Sequence, residues 1–125
     1  MRLFSLPGGP VEAFSSVGVL MQHLPPVTGA DTTSVHVARV SAGGSVGRHR
    51  AVRRQAFAVV SGSGTVQVDD GPPVPIEAGT LVVWETGELH RTWAATDLLA
   101  VIVETSGDLT LDEHFQEIRA GGGLA

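Results

Sequence analysis

The 125-residue chain contains no cysteine. That absence removes disulfides, zinc–thiolate centres and cysteine nucleophiles together, so any bound metal must be held by imidazole, carboxylate or amide groups. Long apolar runs are missing too: no stretch reaches the roughly 18 residues that a membrane-spanning helix needs. The opening MRLFSLPGGPVEAF carries one arginine and no apolar core of signal-peptide length, so the expectation is a cytoplasmic protein with no membrane partner. Positive charge is scarce. Eight Lys and Arg stand against 13 Asp and Glu, a formal net charge of −5, which argues against a nucleic-acid partner. Familiar catalytic signatures are absent as well: no G-x-G-x-x-G, no phosphate-binding loop and no H-E-x-x-H. The SGSG at 61–64 falls between two expected strands with no helix after it, so it is not a nucleophile turn.

What is present is a globular composition, 42% hydrophobic and 17% charged, of a length that suits one domain over residues 1–125. Sixteen glycines and seven prolines gather in short clusters such as LPGGP, LPPVTG, SAGG, SGSG and DDGPP. Short apolar or alternating runs lie between them, the pattern of an all-β sandwich or barrel. Strands are expected at Val17–Gln22, Thr33–Ser41, Gln55–Ser61, Thr65–Asp69, Val74–Glu77, Thr80–Trp84, His90–Ala94 and Leu98–Glu104. VDDGPP supplies an Asp-Gly turn signal between two of them. One helix is expected at about 109–119. Thr110 and Glu113 form a capping-box pattern, Leu111, Phe115 and Ile118 form one apolar stripe, Gly121 supplies a stop, and His114 falls off the stripe.

The candidate chemistry centres on GRHRAVRRQAF, residues 47–57. If one strand runs through it, His49, Ala51 and Gln55 share parity and face one side, with Phe57 extending the set. Arg48, Arg50, Arg53 and Arg54 would then alternate around the same end. His36 lies in SVHVARV, where either His36 or Arg39 faces inward. Trp84 and Trp93 flank a second histidine, His90; Trp93 is a candidate pocket wall. Glu85 and Glu88 read as solvated turn carboxylates, and His23 as a loop residue.

Two stretches together resemble the cupin family. In GGSVGRHRAVRRQAFAVVSG, Gly43 is followed after five residues by His49, Ala51 stands where the family has a second histidine, Gln55 where it has a glutamate, and Gly62 closes the motif. In GTLVVWETGELHRTWA, Gly79, Gly87 and His90 match the second motif, while Glu85 replaces its proline and Ala94 its asparagine. The resemblance implies a conical jelly-roll-like barrel over about 33–104. It implies a metal set of His49, Gln55 and His90 and a homodimer that pairs N-terminal strands through VGVLMQHL; beside them the residues themselves offer His36, Ala51, Phe57 and Trp93 as pocket candidates. Two functions stay open. One is a small-molecule-binding barrel whose site has lost an imidazole and a charge. The other is a metal-dependent enzyme of dioxygenase or isomerase type, holding zinc, nickel, iron or manganese and acting on a small organic substrate.

Overall fold

The computed structural model describes residues 1–118. The strands are β1 Arg2–Ser5, β2 Gly8–Pro10, β3 Leu20–Gln22, β4 Val27–Thr28, β5 Thr33–Val40, β6 Ser45–Arg50, β7 Arg54–Ser61, β8 Ser63–Val68, β9 Val74–Glu77, β10 Thr80–Trp84, β11 Leu89–Ala94, β12 Leu98–Thr105, β13 Asp108–Leu109 and β14 Gln116–Ile118. All pair antiparallel. A six-stranded sheet in the order β14-β1-β10-β7-β12-β5 faces a four-stranded sheet in the order β6-β11-β8-β9. Two small ribbons, β2 with β3 and β4 with β13, lie outside them. No helix among the described residues is long and apolar enough to cross a membrane.

The sequence explains the layering. In β11 the residues alternate, with His90, Thr92 and Ala94 buried and Leu89, Arg91 and Trp93 half-buried, as in a sheet with one covered face. β10 reads TLVVW and is buried along its whole length, because both of its faces are covered. One core lies between the sheets: Leu3, Phe57, Val59, Val66, Val74, Ile76, Val82, Trp84 and Ala100 pack there. A second core sits on the outer side of the large sheet, where Phe4, Ala56, Ala58, Leu81 and Val83 meet Phe115, Leu6, Leu24, Leu109 and Leu111.

The expected C-terminal helix at 109–119 is not formed. Residues 108–109 and 116–118 are strands instead, and β14 pairs with β1 through Leu3–Ile118, Phe4–Glu117 and Ser5–Gln116. Phe115 and Leu111 bury against the second core by this route, so their apolar stripe is satisfied by a sheet edge rather than by a helix face. The proposed stop at Gly121 lies outside the described residues. His114 is exposed, as the sequence implied.

The strand expected at Val17–Gln22 is shorter, Leu20–Gln22, and most of the other expected strands hold within one or two residues. The Asp-Gly turn joins β8 to β9, with Asp69 at φ 50°. A break missed in the sequence lies between His49 and Gln55. β6 ends at Arg50, β7 begins at Arg54, and the two belong to different sheets.

The motif glycines mark where the chain changes sheet. Gly43, Gly62, Gly79 and Gly87 all have positive φ. Gly62 carries the chain from β7 to β8 at φ 86°, and a Cβ there would collide with the Asp97 backbone carbonyl. Gly62→Ala is therefore expected to lower unfolding free energy by at least about 2 kcal/mol. Gly9→Ala, with open space around the added carbon, should change it by less than about 0.5 kcal/mol. Urea unfolding of both variants checks this; equal effects would contradict it.

Candidate functional site

His49 and His90 are register partners on neighbouring strands β6 and β11. Their side chains therefore share a face, and the ring centroids lie 4.4 Å apart. His90 stands inside the barrel, 3% exposed; His49 stands at the rim, exposed. The Nδ1–H of His49 meets the Gly47 carbonyl at 2.7 Å. A carbonyl only accepts, so in the neutral His49 ring Nε2 is the bare nitrogen, the arrangement that metal-binding and acid–base histidines share.

Trp84 comes from the opposite sheet and lies against His90, with centroids 4.1 Å apart and planes at 31°. Phe57 meets Trp84 edge-on at 5.5 Å. These aromatic contacts fill the interior beneath the histidine pair. They also leave two buried polar atoms without a protein partner, His90 Nε2 and Trp84 Nε1. Leaving such an atom unmatched costs about 1–3 kcal/mol, and a small hydrogen-bonding group beside them would remove that cost.

Gln55 is buried on the same side of the large sheet. It is in register with Trp84 on β10 and with Glu104 on β12. Its Nε2 donates to Glu104 Oε1 at 3.0 Å. The strand parity that linked His49 to Gln55 in the sequence is thus not the cause of their arrangement; they arrive on facing sheets. Ala51 lies in the connection between them, buried in the inner core. Its N–H donates to the Glu88 carbonyl, and its carbonyl accepts from the Gly87 N–H.

The remaining candidates divide. Phe57 lines the interior. His36 is in register with Ile102, which packs against the inner core, so His36 faces inward; β5 is a sheet edge, however, and His36 is exposed. Trp93 alternates to the outer side of the small sheet, where the Arg91 guanidinium sits 4.2 Å from its ring. The arginines are largely engaged: Arg48 with Asp70, Arg50 with the Gly87 carbonyl, and Arg54 with both Glu85 and Asp108. Glu88 accepts from the Glu85 N–H and from the Met1 ammonium. Glu104 was missed in the sequence because nothing marks it there. Trp84 had a signal: its strand was read correctly, and its parity with Val82 puts it inside.

For a divalent metal, the two imidazoles fit and the rest of the set does so only in part. His49 Nε2 and His90 Nε2 would be the donor atoms, and Gln55 would offer one neutral amide oxygen. Among the described residues, the group of three His, Asp or Glu side chains that converges closely is Asp112, Glu113 and His114, which is exposed and outside this site.

Burial, helped by the nearby His49, pushes the His90 imidazole down from 6.5 to about 4; Glu88 opposes this weakly. His90 is therefore neutral near pH 7. In the unfolded chain the same ring takes up a proton near pH 6.5. Between pH 6.5 and about 4 the unfolded state binds the extra proton, so stability falls as pH falls, by up to about 3 kcal/mol in all. Urea unfolding between pH 7.5 and 4.5 should show this loss, and His90→Gln should flatten it. An unchanged slope in the variant would contradict the assignment.

The comparisons with known proteins agree with this architecture. The Cupin domain family profile matches residues 36–106, more than half of the chain. No curated protein matches. The fold is similar to that of an uncharacterised protein with a double-stranded β-helix domain from Klebsiella pneumoniae, at 19% identity over 70% of this chain and 79% of that one, TM-score 0.57. It is similar to a cupin-like protein from Thermotoga maritima, at 19% identity over 65% and 68% of the two chains, TM-score 0.56. It is also similar to a salicylate 1,2-dioxygenase from Pseudoaminobacter salicylatoxidans, at 22% identity over 58% of this chain but only 21% of that one, TM-score 0.55. At these identities the likeness is one of fold. With the profile matching more than half of the chain and the histidines of the paired motifs side by side on adjacent strands of a two-sheet barrel, the chain belongs to the cupin family.

Proposed function

We propose that this cupin binds a small organic molecule at the barrel mouth, against His49 and His90. The observation that supports the reading best is the pair of buried, unpartnered polar atoms, His90 Nε2 and Trp84 Nε1, beside a second imidazole. A ligand that pairs with them removes a desolvation cost and gains orientation. Phe57 and Trp84 supply the apolar floor, and Gln55 a further polar group.

A second reading, a metal-dependent enzyme, is supported by the His49 Nδ1–Gly47 contact, which leaves Nε2 available. His49, His90 and the Gln55 amide oxygen would hold the ion. A metal there would supply Lewis acidity toward a small substrate, while the chain's own residues orient that substrate and exclude water. The two-imidazole set carries less charge than such sites commonly offer, which is why binding is the primary reading. Protein purified without chelator should carry an organic adduct in native mass spectrometry, and His90→Gln should lose it. A stoichiometric transition metal, lost on His49→Gln or His90→Gln, would select the second reading. Neither species in wild-type protein would overturn both.

We also propose a homodimer. β5 is a long edge strand whose outer face shows Val35 at 65% and Val37 at 63% exposure, and the N-terminal arm shows Phe14 at 99% and Val17 at 91%. A long, apolar, uncovered edge invites pairing unless something covers it, and an arm from a second copy is suited to do so. Light scattering at micromolar concentration should give twice the chain mass. Val35→Lys with Val37→Lys should give a folded monomer, whereas a monomeric wild type would remove the proposal.

A further inference from the structure

Trp84, Gln55 and Glu104 form one row across β10, β7 and β12, since Gln55 is in register with both neighbours. Residues so paired point to the same side of a sheet. Trp84 belongs to the core between the sheets, so the row faces the barrel interior. Glu104 is half-buried there.

The 3.0 Å contact from Gln55 Nε2 to Glu104 Oε1 fixes the amide. A carboxylate accepts and cannot donate, so the NH2 end of Gln55 must turn toward Glu104. Its carbonyl Oε1 is then the end turned away from Glu104. In the neutral His49 ring Nε2 is likewise bare, because Nδ1 donates to Gly47. Two acceptor atoms thus stand beside the unpartnered Trp84 Nε1–H donor, with a carboxylate one side chain behind them. The negative charge missing at position 55 is present on the neighbouring strand.

We propose that Glu104 is the positioning residue of this recess. It orients the Gln55 carbonyl into the barrel and gives the site the charge that selects a cationic, donor-rich ligand over an anionic one. The inference rests on reading the recess as a ligand site. Its chemistry is shared by two sources, a divalent metal ion and an organic cation such as an amidinium. Opposing it is Arg53, half-buried nearby on the loop leading into β7. Arg48 and Arg54 are held in ion pairs and Arg50 is turned to the Gly87 carbonyl, whereas Glu104 is the charge bonded directly to Gln55.

The test uses benzamidine and benzoate, which share a ring and differ in the sign of their charge, together with nickel(II) alone. The readout is the NMR signal of the Trp84 indole N–H and of the His49 and His90 rings in the full chain. Benzamidine should shift these signals at a concentration at least about tenfold lower than benzoate, the scale of one charge-assisted hydrogen bond. Glu104→Gln should abolish the preference by weakening the cation alone, and Glu104→Asp should retain it. A purely structural role would weaken both probes equally, and that result would overturn the proposal. Nickel(II) binding that is reversed by chelator and weakened by Glu104→Gln identifies a metal as the cation; chelator-independent benzamidine binding identifies an organic one. If Glu104→Gln does not fold, Gln55→Glu reads the same point from the other side: a second carboxylate should raise the preference for the cation, and no change would overturn the proposal. Preference for benzoate in the wild type overturns this inference and leaves the ligand-site reading standing. No response to any probe overturns both.

Discussion

The stack of Trp84 on His90 joins the two sheets of the barrel, and the character of the site follows from it. Trp84 belongs to the large sheet and His90 to the small one. An indole of this size fills the gap beneath the mouth, draws Phe57 into edge contact and removes water from around the His90 ring. Loss of water makes the charged imidazole costly, so His90 stays neutral well below the range of an ordinary histidine. The rim histidine is held differently, by one hydrogen bond to the Gly47 carbonyl. Two identical side chains, one strand apart, thereby acquire different roles: one is a neutral interior group, the other an accessible one with its outer nitrogen free.

Charge at the mouth is more nearly balanced than the sequence implies. The arginine-rich run from 48 to 54 reads as a cationic rim, yet most of its side chains are tied to acidic residues or to backbone carbonyls. Exposed pairs of this kind contribute little to stability, about 0–1 kcal/mol each. Their consequence is electrostatic: they withdraw positive potential from the recess and leave Glu104 as the half-buried carboxylate bonded to Gln55. A family-level comparison cannot reveal this, because one fold carries many chemistries and the glutamate lies outside both motifs.

The glycines of the two motifs have a plain structural cause. Each occupies a positive-φ turn where the chain leaves one strand for the next, and at Gly62 the neighbouring carbonyl also leaves no room for a side chain. They report the barrel's corners, while the histidines and the residue at 55 report its contents. This is why the fold could be read with both motifs partly altered. Replacing a ligand by Ala51 or Gln55 does not disturb a corner.

Local pattern alone determined the all-β class, the positions of the regular strands from β7 to β12 and the Asp-Gly turn, while the inward placement of His90 was implied by the family resemblance. Period-two alternation and turn chemistry are encoded within a few residues of where they act. The tertiary structure decided what depends on partners distant in sequence. Leu111 and Phe115 carry a helix-like stripe, but β1 offers an open edge more than a hundred residues away, and pairing with it overrides local propensity. His49 and Gln55 share parity in sequence, but the chain turns between them and places them on facing sheets. Glu104 has no local mark at all. Its meaning comes from register with Gln55 across β12 and β7, a relation set by hydrogen bonds between strands that the order of residues along the chain does not contain.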